Sequence, residues 1–207
     1  MLVCLDAGHG KDTAGKRAFD ESFFEYEFNR DVTARIKTLL EERGLQVVLT
    51  APTDADVSLS RRCKIADESG AIVVVSIHAN AFGTTWNDAR GWVIYHHTGS
   101  VKGAQLAEAI WRESIPYLGL RDRGIADANF TILADTIAPA VLVEHGFYTN
   151  RTELAFLKSD DFRDRCAVAD TKGILRYLGV PWSDIDYQDQ CRIAHDKLAR
   201  IKAIMEE

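Results

Sequence analysis

The chain has 207 residues, of which 46% are hydrophobic and 27% charged, enough for one sizeable domain plus at most a small appendage, without help from disulfides. With 25 basic against 31 acidic residues and a formal charge of −6, the balance argues against a phosphate-tracking surface, and no run of Lys and Arg supplies one, so nucleic acid is not an expected partner. The longest unbroken apolar stretch, residues 71–75, is far too short to span a bilayer, so no membrane insertion is expected.

Apolar runs alternate with helical patterns along the chain, which indicates α/β construction. Residues 2–6 read as a short buried strand that ends in Ala7-Gly8-His9-Gly10, where glycines permit a tight loop. A helix follows over 25–43, with Phe28, Val32, Ile36, Leu39 and Leu40 on one stripe and Gly44 as its stop. Residues 45–50 form the next strand, and Ser58 is placed to cap a helix running to Gly70. Residues 71–77, apolar at nearly every position, have the pattern of a central strand covered on both faces. Further strands are expected over 91–96, 130–133 and 140–143, and helices over 102–117, 152–157 and 161–178. The domain therefore closes near residue 181. Residues 182–207 form a tail whose helical part, 183–207, spaces its apolar residues over barely two heptads. Such a helix lies against its own domain or serves weak self-association. Cys4, Cys63, Cys166 and Cys191 show no paired spacing and are read as reduced thiols.

The chemistry-bearing residues sit where apolar strands stop. His9 follows the first strand, His78 and Asn80 end the third, and Glu144-His145 end the run 140–143. In a largely parallel sheet, the carboxyl ends of strands converge on one edge, and ligands bind there. A strand-end histidine can also be a hydrogen-bonded cap, so position alone leaves His9, His78 and His145 as open candidates. Two imidazoles and a carboxylate make a common hydrolytic zinc site. Among the acids that could complete one, Glu25 lies three residues before Phe28, on the buried face of its helix. Glu27 falls with Asp31 and Arg35 on the solvated face, and Glu21 precedes the helix. The plainer reading of Glu25 is a first-turn acid favoured by the helix dipole. His96 and His97 are neighbours on a strand, point to opposite faces and do not suit one ion. Trp86, Trp92, Tyr95 and Tyr148 suit packing better than a sugar groove.

Four motifs stand in order: Leu5-Asp6-Ala7-Gly8-His9-Gly10, Glu25-Tyr26-Glu27-Phe28-Asn29, Ser76-Ile77-His78-Ala79-Asn80, and the run from Pro139 through Glu144-His145-Gly146-Phe147 to Asn150. Together they resemble the zinc-dependent N-acetylmuramoyl-L-alanine amidases, the type 3 catalytic domain of bacterial and phage cell-wall hydrolases, over about residues 1–180. The resemblance implies a mixed, largely parallel sheet flanked by helices. It implies one Zn²⁺ held by His9, Glu25 and His78, with Glu144 as the catalytic carboxylate and peptidoglycan as substrate. Asn80 and His145 are further candidates for steadying the substrate oxyanion; His145 stands where the family more often has an apolar residue, and a second reading makes it a supporting or surface histidine.

The chain opens without a basic, apolar and small-residue leader, so it is expected to be made in the cytoplasm and to reach the wall on release, by phage or mother-cell lysis. Alternative readings are a zinc hydrolase of small peptide or amino-acid conjugates, and a catalytically silent wall-binding module.

Overall fold

A computed structural model describes residues 1–182; the expected helix over 183–207, with its self-association, lies outside the described residues. The elements in chain order are β1 (Leu2–Ala7), α1 (Glu25–Glu41), β2 (Gln46–Leu49), α2 (Leu59–Ser69), β3 (Val73–Asn80), β4 (Trp92–His96), α3 (Val101–Leu118), β5 (Asp122–Asp127), α4 (Thr131–Ala134), β6 (Ala140–Phe147), α5 (Arg151–Lys158) and α6 (Asp160–Leu178). Six strands form one sheet in the order β2-β1-β3-β6-β4-β5. β2, β1, β3 and β6 run parallel, whereas β4 opposes β6 and is followed in parallel by β5. This is the mixed, largely parallel α/β sheet that the sequence implies.

Strand alternation builds two cores. On one face Val3, Leu5, Val75, Ile77, Val141 and Val143 pack beneath the apolar stripe of α1 and beneath α3 and α6. On the other, Cys4, Val74, Ala140 and Leu142 meet Cys63 and Ala66 of α2 and Ile132 and Leu133 of α4. A strand buried on both faces has no polar position to spare, which is why β3 reads as a continuous apolar run. α3 and α6 approach so closely that a Cβ on Gly173 would lie 2.3 Å from Ile110 Cα.

Two expectations are corrected. Residues 130–133 do not form a strand: Phe130 precedes the single helical turn of α4, which buries Ile132 and Leu133. A four-residue apolar run carries no periodicity that separates the two. An unexpected strand, β5, lies earlier, and its Asp122, Arg123 and Asp127 surround Gly124. A short edge strand that carries charge and glycine resists unwanted pairing and thereby loses its strand-like composition. Strand β6 also runs on to Phe147, four residues past its expected end, through an irregularity opposite His78 and Asn80.

Candidate metal and catalytic site

Strand order reverses beside β1, with β2 on one side and β3 on the other. The connections through α1 and α2 leave on opposite faces, so a crevice opens at the carboxyl ends of β1 and β3. The segment after β1 enters it under tight constraint. Gly8 donates its N–H to Ile77 O at 3.1 Å, and a Cβ there would lie 2.0 Å from His78 Cε1. A Cβ on Gly10 would lie 2.4 Å from the Asp56 nitrogen. Between the two glycines, His9 takes a left-handed φ of 62°, a conformation that costs a non-glycine residue energy and must be held by its surroundings.

Arg62 supplies that hold. Its guanidinium is 2% exposed and donates to His9 O at 2.9 Å, Ala7 O at 2.5 Å, Val57 O at 2.7 Å and Asp6 Oδ1 at 2.8 Å. Asp6 also accepts from Ser76 at 2.5 Å and from Thr50. Burial opposes ionisation of Asp6, but the Arg62 charge and the hydrogen bonds from Ser76, Thr50 and Arg62 hold its carboxyl below the usual range.

Above this layer, His9 Nε2 lies 3.4 Å and His78 Nδ1 3.0 Å from Glu25 Oε1, with the two rings edge-to-face at 5.0 Å. The ligand atoms of His9, Glu25 and His78 all lie within 4.8 Å of one another, the single such group among the described residues. Glu25 is buried at the first turn of α1, while Glu21 and Glu27 are exposed, so the helical register selects as expected. Asn29, one turn on, donates to Gly8 O at 2.9 Å and ties α1 to the His9 loop. Burial opposes the Glu25 charge, but hydrogen bonds and positive charge from His78 and His9 outweigh it and hold the carboxyl far below its ordinary value. A deprotonated carboxylate between two imidazoles is the donor set that a borderline-soft divalent cation takes in open hydrolytic sites, and these residues fit one.

Glu144 pairs in register with His78 across β3 and β6. With His9 and His78 it lines a groove of about 610 Å³ whose other wall carries Val57, Leu59 and Phe130. Its Oε2 is shielded from solvent without a hydrogen-bond partner. Burial, then the Glu25 charge, raises its carboxyl well above the ordinary value, with Lys16 opposing.

His145 points the other way and is corrected as a substrate contact. It is 0% exposed, packs against Phe28, and pairs through Nε2 with Asp170 Oδ2 at 3.0 Å; its Nδ1 faces His78 O at 3.3 Å. Both ring nitrogens are engaged inside the core, so neither reaches the groove nor the surface. Asn80 turns its Oδ1 back to Ala81 N–H at 2.8 Å and is not part of the groove wall. His96 bonds Asp127 at 3.2 Å, away from any ligand cluster.

Three contributors escape a reading of the sequence. Lys16, on an aperiodic connection, brings Nζ within 3.8 Å of Glu25 Oε2. Tyr148 is 2% exposed, and burial, then the Glu25 and Glu144 charges, push its phenol far up. Arg62 had one available signal: it precedes buried Ala66 by one helical turn, where a solvated arginine does not belong.

Residues 3–176 match a family described as N-acetylmuramoyl-L-alanine amidase. The chain belongs to the N-acetylmuramoyl-L-alanine amidase family. Among its relatives, it is 33% identical to the N-acetylmuramoyl-L-alanine amidase LytC of Bacillus subtilis over 84% of this chain and 35% of LytC. It is 32% identical to the endolysin of Bacillus phage SPP1 over 86% of this chain and 66% of the endolysin. The chain thus spans about a third of LytC and about two thirds of the endolysin. Solved amidase structures match most of this chain. The catalytic domain of CwlV from Paenibacillus polymyxa matches with a TM-score of 0.81 at 34% identity, covering 87% of this chain and 99% of that domain. An N-acetylmuramoyl-L-alanine amidase from Clostridium difficile matches with a TM-score of 0.82 at 30% identity, over 86% of this chain and 96% of that one. No helix among the described residues is long and apolar enough to cross a membrane.

Proposed function

We propose that this amidase hydrolyses the amide between the lactyl group of N-acetylmuramic acid and the L-alanine of the stem peptide in peptidoglycan, with one zinc ion. The observation that carries the reading is the convergence of His9, Glu25 and His78 within 4.8 Å of one another, on the same groove as a Glu144 carboxyl whose Oε2 has no protein partner. His9 Nε2, a Glu25 oxygen and His78 Nδ1 would hold the ion, which supplies a polarised carbonyl and a water of lowered pKa.

The chain's own residues then have separable tasks. Glu144 takes a proton from the attacking water on its carboxylate and returns one to the departing amine nitrogen, which is too basic to leave unprotonated. Burial raises the proton affinity of the Glu144 carboxyl, which favours the proton return. Lys16, from the groove wall, keeps positive charge beside the two carboxylates. The exposed Leu59 and Phe130 give the groove an apolar side, against which a bound strand excludes water from the reacting amide.

Incubation with purified peptidoglycan should lower turbidity and release new L-alanine amino termini without new reducing sugar ends. Glu144→Gln should abolish that release and keep stoichiometric zinc by elemental analysis. Reducing ends in place of amines, or turnover retained in Glu144→Gln, would overturn the reading.

A further inference from the structure

A second cleft of about 630 Å³ opens beyond the end of β6, between the β3–β4 connection, the turn after α3 and the start of α5. It shares no lining residue with the groove of Glu144. Its distinguishing feature is its arginines. Every other described arginine, from Arg17 to Arg176, has a carboxylate oxygen within 4.0 Å. Arg90, Arg121, Arg123 and Arg151 do not, and all four are exposed at or beside this cleft. In a chain of formal charge −6, where acidic side chains are plentiful, four guanidiniums in one place without a carboxylate at ion-pair distance stand out, although Arg90 and Arg123 feel the Glu153 charge from farther off.

Neighbouring rings hold two of them in place. Arg151 lies over the Trp86 ring at 4.2 Å, and Arg123 lies over Phe147 at 5.3 Å while donating to Arg90 O at 3.3 Å. Glu153 lines the same cleft but turns its carboxylate inward, accepting from Gly91 N–H at 2.7 Å and Phe147 N–H at 2.8 Å. Asp88 is the other acid in the lining. A guanidinium fork matches paired anionic oxygens, and stacking on an aromatic ring fixes its plane in advance. One carboxylate would satisfy one fork; four forks around an open cleft fit an anion whose charges repeat along a chain.

We propose that this cleft binds a phosphodiester-linked anionic polymer of the cell wall while the neighbouring groove engages peptidoglycan. The choice of a wall polymer rests on the amidase reading; the arginine site itself does not. Docking on such a chain would hold the enzyme at its insoluble substrate and make that retention dependent on salt.

The test is fluorescence anisotropy of the intact chain with labelled poly(glycerol phosphate), titrated against salt. The wild type should bind, and should lose roughly tenfold or more in affinity between about 50 and 200 mM salt. The triple variant R90Q/R121Q/R151Q should bind roughly tenfold or more weakly, with a flatter salt dependence. R61Q/R112Q, which removes two ion-paired surface arginines, should change binding less than about twofold. The triple variant should keep its circular dichroism and its turnover of short soluble muropeptides. Absence of wild-type binding, equal losses in the two variants, or single-stranded DNA bound as tightly at equal charge would each overturn the proposal. Because binding is read without turnover, a chain that bound the polymer yet cut no amide would sink the proposed function and leave the arginine site standing.

Discussion

Two polar layers lie one above the other at the carboxyl edge of the sheet, and they are built on opposite terms. In the lower one, Asp6 and Arg62 are both 2% exposed, and the Asp6 carboxylate is surrounded by donors that hold its proton affinity down. In the upper one, Glu144 keeps an oxygen shielded and unpartnered, and its proton affinity is pushed up. Both are carboxylates in low-dielectric surroundings, so burial alone does not set their behaviour; the supply of donors does. A satisfied carboxylate fixes the backbone of the His9 loop, whereas an unsatisfied one is ready to exchange a proton.

The sharpest break of this comparison is Glu144→Gln. Proton transfer by a placed carboxyl contributes about 10²–10⁴-fold, so kcat should fall at least that far while the thermal midpoint stays close to that of the wild type, because Glu144 Oε2 has no hydrogen bond to lose. A matching loss of stability would place Glu144 in the lower layer's class. Arg62→Ala tests the other layer. Removing one partner of a buried pair leaves the other charge stranded, at about 3–5 kcal/mol, and urea unfolding should register that cost. Because Arg62 also carries His9 O, zinc affinity in the surviving folded fraction should fall as well; full stability with weakened zinc, or the reverse, would separate the two duties.

The pH dependence of stability carries the contrast further, at smaller size. Asp6 has a folded pKa below its unfolded value of about 3.9. Its contribution is therefore complete above that value and is lost as pH falls through the folded one. Wild type should lose stability on acidification below about pH 4, and Asp6→Asn should be less stable at neutral pH yet flatter across that window. Identical slopes in the two proteins would show that Asp6 does not govern acid unfolding.

How much of this was legible beforehand follows from the same physics. The upper layer announces itself because ionisable residues interrupt apolar runs at strand ends, and because helical periodicity turns Glu25 inward and Glu27 outward. The lower layer is half visible: Asp6 stands in the first motif, but Arg62 reaches it across 56 residues, and no local pattern records that. β5 hid behind the charges that protect an edge strand, and α4 behind a run too short to have a period. The arginine cleft was invisible, since Arg90, Arg121, Arg123 and Arg151 come from three separate segments and form no run. A charge count over the whole chain averages such a patch away.

The smallest test concerns the neighbour of Glu144. Strand alternation sends His145 into the core, where Asp170 answers it and Asp170 Oδ1 has no partner. His145→Leu should cost about 1–3 kcal/mol, because Asp170 is left buried without its donor. The pair His145→Leu and Asp170→Leu together should recover much of that cost, since an apolar replacement of both partners leaves nothing unsatisfied. A double-mutant cycle by urea unfolding measures the coupling. Additive losses would mean that the imidazole matters through its contact with His78 O rather than through Asp170. In that event the histidine would support the upper layer from behind, and zinc affinity, insensitive to the pair if Asp170 is its main partner, would fall in His145→Leu alone as steeply as in the double variant.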